Sequence, residues 1–161
     1  MAVTRVGITG HQDIPAAARE AVEAGIRHAL AQIDVELAGI GSLAAGADQI
    51  FAATILDMRG QLEVVIPCGE YETTFDTPAK LTEYNRLLTA ATSVEWLDYP
   101  TPSEEAFMAA GIRVVDRCDL LVAVWDGKDA QGLGGTADVV RHARKIDRVV
   151  VVIWPAGISR A

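Results

Sequence analysis

D-L-L-V-A-V-W, Asp119 to Trp125, and R-V-V-V-V-I-W, Arg148 to Trp154, are continuous apolar runs. A strand with one wet face alternates apolar and polar residues. A strand buried on both faces does not alternate. Both runs therefore read as strands of a parallel sheet covered by helices on either side. Between them lies G-L-G-G-T-A-D-V-V, Gly132 to Val140, a glycine loop running into a helix that begins near Thr136. Strand, loop, helix and parallel strand make one crossover unit, expected to be right-handed.

The same alternation extends upstream. Arg5 to Ile8 reads as a strand, then Asp13 and Pro15 mark a helix whose Ala18, Val22, Ile26, Ala29 and Ile33 share one face. Strands follow at Glu36 to Ile40 and Leu62 to Pro67. A helix from Ala47 to Met58 separates them, and Gly60 stops it. Cys68 to Pro78 reads as a polar and aromatic loop, followed by a helix carrying Leu81, Tyr84, Leu88 and Ala91. Val94 to Leu97 is a weaker strand. Ser103 caps a further helix with Glu104 and Glu105 in its first turn, where carboxylates suit the helix dipole. The expected architecture is a Rossmann-like, doubly wound α/β domain. It has a mainly parallel sheet of about six strands and helices on both faces, in a single domain over residues 1–161.

Bulk composition narrows the function. A chain of 161 residues suits one domain with a sizeable core. The net charge of −8 argues against DNA or RNA, whose backbone an acidic surface repels. A small anion is still admissible, because local backbone dipoles outweigh net charge at close range. Cys68 and Cys118 form neither a disulfide framework nor a metal-ligand spacing, so two reduced, buried thiols in a cytoplasmic protein are expected. The N-terminal M-A-V-T-R-V-G-I-T-G shows no long apolar h-region and no cleavage site, so no signal peptide is expected. No apolar run reaches the roughly 20 residues that cross a bilayer, so no membrane partner is expected.

Sheets of this class bind ligands in the crevice at the carboxyl ends of their strands. The residues that follow the strands are Thr9, Gly10 and His11; Gly41, Ser42, Gly46 and Asp48; Pro67; and Asp126 with the glycine loop. Small and polar residues thus gather on one rim. Glycines let the main chain approach a ligand, and N–H groups at a helix start face an anion. Gly132, Gly134, Gly135 and Thr136 read as a phosphate cradle, or otherwise as a tight turn with Thr136 as a plain N-cap. G-S-L-A-A-G-A-D, Gly41 to Asp48, reads as a turn holding a sugar or base, with Asp48 taking a hydroxyl, or as a packing turn. Neither segment is the dinucleotide fingerprint G-x-G-x-x-G or a P-loop, so no cofactor is expected.

In this order, G-I-T-G-H, G-S-L-A-A-G-A-D, V-V-I-P, D-L-L-V-A-V-W-D-G and G-L-G-G-T-A-D-V-V resemble the SLOG superfamily. That group holds the LOG proteins, also called lysine decarboxylase-like, and the Rossmann-like domain of DprA. The resemblance covers nearly the whole chain. It implies a Rossmann-like fold, a nucleotide or nucleotide-derived ligand, and a homodimer associating through helices. LOG enzymes are phosphoribohydrolases, which release the base from a nucleoside 5′-monophosphate. Their signature is P-G-G-x-G-T-x-x-E with a distant assisting arginine. Matched on Gly135 and Thr136, this chain has Gln131 for the proline, Gly132 for the first glycine, Leu133 for the second and Val139 for the glutamate. The cradle carries over in part and the catalytic carboxylate does not.

Breaking a glycosidic bond through an oxocarbenium-like state needs a carboxylate nearby, which Val139 cannot supply. Two other acids are candidates. Asp126 closes its strand and resembles the strand-end aspartate of nucleoside deoxyribosyltransferases, though it also suits a D-G turn. Glu105 is the second, with helix-start stabilisation as its other role. His11 is a candidate for donating to a phosphate or stacking on a base. Tyr71, Phe75 and Tyr84 are candidates for base stacking or packing, and Arg113 for the assisting arginine. Three readings follow: a nucleotide-binding module, an N-glycosidase with a relocated acid, and a structural subunit with a vestigial crevice.

Overall fold

A computed structural model describes residues 2–129 and 135–158. Six strands form one sheet: β1 Val3–Gly10, β2 Glu36–Gly41, β3 Gln61–Ile66, β4 Ser93–Trp96, β5 Leu120–Val124 and β6 Val149–Ile153. The helices are α1 Ala16–Ala31, α2 Ala47–Asp57, α3 Pro78–Ala90, α4 Glu104–Arg117 and α5 Thr136–Lys145. The expected Rossmann-like α/β class is observed, and every neighbouring pair of strands is parallel.

The spatial order β4-β3-β2-β1-β5-β6 places the site. The chain steps outward from β1 to β4, then returns to the other side of β1 for β5 and β6. The direction of winding reverses between β1 and β5, where Thr9 lies beside Ala123 and Gly10 beside Val124. A crevice opens at such a reversal because the loops after the two strands leave toward opposite faces of the sheet.

The two faces bury separate cores. Val22, Ile26 and Leu30 of α1, Phe51 and Ile55 of α2, and Tyr84 and Leu87 of α3 cover one face. They pack against Ile8, Leu62, Val64, Val122 and Val124. Ala110, Val114 and Val115 of α4 and Val139 and Ala143 of α5 cover the other, against Ile40, Val65 and Leu121. Successive residues of β5 thus enter opposite cores, which explains why its sequence is apolar throughout. Ser103 caps α4 as expected, its Oγ accepting the Ala106 N–H at 3.0 Å. Thr77 does the same for α3, ahead of Pro78.

Two expectations change. R-V-V-V-V-I-W reads as a strand buried on both faces, but β6 is an edge strand, with Val149 62% and Val152 44% exposed. Apolarity drew that reading, whereas position in the sheet depends on which strand the chain returns beside. The Cys68 to Pro78 loop contains a short 3-10 helix, Tyr71–Thr74. It buries Tyr71 against Phe75, Tyr84 and Phe107. Cys68 and Cys118 are buried free thiols, and burial raises the pKa of both.

Candidate functional site

The site begins where β1 ends. The His11 N–H donates to the Val124 carbonyl at 3.1 Å, and the His11 carbonyl accepts the Ala47 N–H at 3.1 Å. One residue therefore ties β1 to β5 and to the start of α2. Its buried side chain reaches across the winding reversal to Asp126 after β5. Nε2 lies 3.1 Å from the Asp126 N–H and 3.2 Å from Asp126 Oδ1. A single ring nitrogen serves only one of these contacts at a time. Bare, it accepts the N–H; protonated, it donates to the carboxylate. Oδ1 also accepts the Lys128 N–H at 3.0 Å, and the Trp154 ring meets the imidazole edge-on at 5.4 Å. The ends of three neighbouring strands thus hold one imidazole.

Asp48 occupies the next strand end. It lies in the first turn of α2, and its Oδ2 accepts the Ser42 N–H at 3.3 Å. Gly46, ahead of it, has φ +79°, and a side chain there would run into the carbonyls of His11 and Gln12. The turn and the β1 loop therefore pack backbone to backbone, which sinks Asp48 to 8% exposure. Burial raises its pKa from 3.8 to about 7, against the lowering effect of N–H bonds from Ser42 and Ala44. Buried Tyr71 lies alongside, and its phenol is pushed well above the ordinary range by burial first and by Asp48 second.

The third wall is the start of α5. Gly135 is its N-cap and makes no side-chain cap bond. Thr136 is buried, as is Val139 one turn on. A side chain on Gly111 of α4 would meet Val139 Cγ2 at 2.6 Å, so α4 and α5 are in close contact there. Gly132 and Gly134, with Gln131 and Leu133, lie outside the described residues.

These walls enclose a cavity of about 590 Å³, within the range of small-molecule sites. Thr9, Gly10, His11, Ser42, Asp48, Pro67, Gly135 and Thr136 all line it. Four other candidates do not. Gly41 and Gly46 are packing positions: a side chain on Gly41 would meet Ile8 Cγ2 at 2.5 Å. Asp126 is buried against His11, which does line the cavity. Glu105 is exposed and off the wall, while its neighbour Glu104 is on it. Adjacent helix positions differ by about 100°, which separates the two.

Sequence reasoning missed the lining residues Asp13, Lys128 and Asp129, and did not assign Glu104 or Phe107 to the wall. Among the described lining residues, Lys128 is the only lysine or arginine. Arg113 does not line the cavity; its guanidinium is 2.6 Å from Glu95. Of the three loop aromatics, Tyr71 lines the cavity, whereas Phe75 and Tyr84 stack on each other at 4.7 Å.

No family model matches the chain, and no curated protein does. Solved structures do match. The DNA processing protein A (DprA) of Streptococcus pneumoniae superposes with a TM-score of 0.69 at 20% identity, over 96% of this chain and 51% of that one. This chain shares the fold of that part of DprA. The DprA of Helicobacter pylori gives 0.64 at 18% identity, over 92% of this chain and 64% of that one. TM1055 gives 0.58 at 13% identity, over 91% and 72%. The Rossmann-like fold that the motifs imply is thus shared with these structures. The chain spans about half the length of the Streptococcus pneumoniae DprA.

One expectation is overturned here. Net charge argued against any nucleic-acid partner, yet DprA from Helicobacter pylori, built on this fold, has a single-stranded DNA binding mode. Net charge is a sum over the surface, whereas a strand is held by the local field and hydrogen bonds of one groove, so −8 excludes nothing. Among the described residues no helix is long and apolar enough to cross a membrane.

Proposed function

We propose that the crevice binds a nucleotide or nucleotide-derived ligand, with phosphate at the start of α5 and the base toward Asp48 and Tyr71. The observation that carries this reading is convergence: eight residues singled out by position after a strand line one cavity at the winding reversal. Three helix starts meet there, and they differ. At α2 the Ala47 N–H is taken by His11, and at α4 the Ala106 N–H is taken by Ser103. At α5 the N-cap is a glycine, which has no side chain to cap the helix start, and the helix dipole there suits an anion beside Thr136. Lys128 adds the positive charge. The nucleotide unit belongs either to a free small molecule or to a single strand.

The phosphoribohydrolase reading is weaker. The position matched to the catalytic glutamate is Val139, which lines the cavity with no carboxylate to offer. The test is a proton NMR time course with nucleoside monophosphates and a short single-stranded oligonucleotide, recording saturation transfer and base release together. Saturation transfer without base release is expected. Steady base release would make the protein an enzyme, and absence of transfer to every probe would refute the nucleotide reading. The homodimer implied by the SLOG resemblance is tested by light scattering on the same sample.

A further inference from the structure

We propose that Asp48 reads the base as an undissociated carboxyl, donating its O–H to a ring nitrogen and accepting from the adjacent exocyclic amine, the paired edge of adenine or cytosine. The inference rests on the nucleotide reading above and deepens it. Asp48 lines the cavity, is buried, and is held by backbone N–H bonds from Ser42, at 3.3 Å, and from Ala44. A carboxyl held in place by the backbone presents one defined edge to a ligand.

The protonation state decides what that edge recognises. An ionised carboxylate offers only acceptors, which suit the two neighbouring donors of guanine, N1–H and the 2-amino group. A neutral carboxyl offers one donor and one acceptor side by side, which suits adenine N1 with the 6-amino group, or cytosine N3 with the 4-amino group. Burial places the changeover near neutrality, at a pKa of about 7. Other proton-binding or charged groups share the cavity: His11 and Asp13 after β1, Tyr71 of the 3-10 helix, Glu104 of α4, and Lys128 and Asp129 after β5. Cys68, off the cavity wall, interacts with Tyr71. His11 is the competing source of pH dependence, and the test must separate it from Asp48.

Calorimetric titration with AMP and GMP at about pH 6.5 and about pH 8.5 makes that separation. Both ligands carry the same phosphate, so its titration cancels in the ratio of affinities. The AMP-to-GMP ratio is expected to fall by about tenfold per pH unit, about a hundredfold from the lower pH to the higher, when each nucleotide binds one protonation state. In Asp48→Asn the amide keeps a fixed donor and acceptor, so AMP binding persists and the ratio becomes flat with pH. A flat ratio in the unmodified protein overturns the proposal. So does a pH-dependent ratio that survives in Asp48→Asn, which would implicate His11. If neither nucleotide binds, the nucleotide reading fails and this inference falls with it. Circular dichroism checks that the variant folds, and the pH series on the unmodified protein stands without it.

Discussion

Replacing Asp48 with asparagine should change how the stability of the protein depends on pH. In the fold, burial holds the Asp48 pKa at about 7, against 3.8 for an unperturbed aspartate. The folded state therefore binds this proton more tightly than the unfolded chain, and stability falls as pH rises between the two values. Stabilisation from the protonated carboxyl is complete below about pH 4, decreases by about 1.4 kcal/mol per pH unit, and is gone above about pH 7. The gap of about three pH units amounts to about 4 kcal/mol in all. Asparagine is nearly isosteric and does not titrate, so the variant should gain on the unmodified protein by about 3 kcal/mol between about pH 5 and about pH 8. For a chain of this size that is roughly 6–12 °C in Tm. Urea unfolding of both proteins across this range, followed by circular dichroism, measures the difference, in which groups common to both cancel. A stability difference that stays constant with pH would show that Asp48 is solvated in the fold, and would refute the burial argument.

Three further perturbations test separate parts of the account. Thr136→Val removes a hydroxyl from the cavity wall at nearly constant volume. It should weaken phosphate-bearing ligands by about 1.5–3 kcal/mol with little change in Tm, measured by titration calorimetry. Gly10→Ala places a methyl against Ala47 and within 2.9 Å of Val124 Cβ. It should destabilise by roughly 1–3 kcal/mol in urea unfolding, and a neutral result would mean that β1 and α2 can separate freely. Ser103→Ala removes the α4 cap and should cost about 1 kcal/mol in the same assay without affecting ligand affinity.

The fold was legible because its signals are local. Two apolar runs, a glycine loop between them and capped helices upstream suffice to imply a covered parallel sheet, and Ser103 and Thr136 mark the starts of α4 and α5. The edge position of β6 was not legible, since four valines and an isoleucine look the same beside one neighbour or two. The rim of the site was legible as strand-end positions, which is why Thr9, His11, Ser42, Asp48 and Thr136 meet. Their individual roles depend on packing at a distance. His11 and Asp126 are 115 positions apart and meet only because β5 returns beside β1. Gly41 and Gly46 are small because Ile8 and the Gln12 carbonyl approach them, which no local pattern reveals. Lys128 carried no signal beyond following a strand.

The central claim is that a nucleotide sits in the crevice between the ends of β1, β2 and β5. Amide chemical-shift mapping of the labelled protein during titration with AMP tests it most directly. The account predicts shifts clustered on residues 9–11, 42–48 and 135–139, with the outer faces of α1 and α3 unchanged. Shifts confined to those outer helix faces, or none at saturating nucleotide, would contradict it.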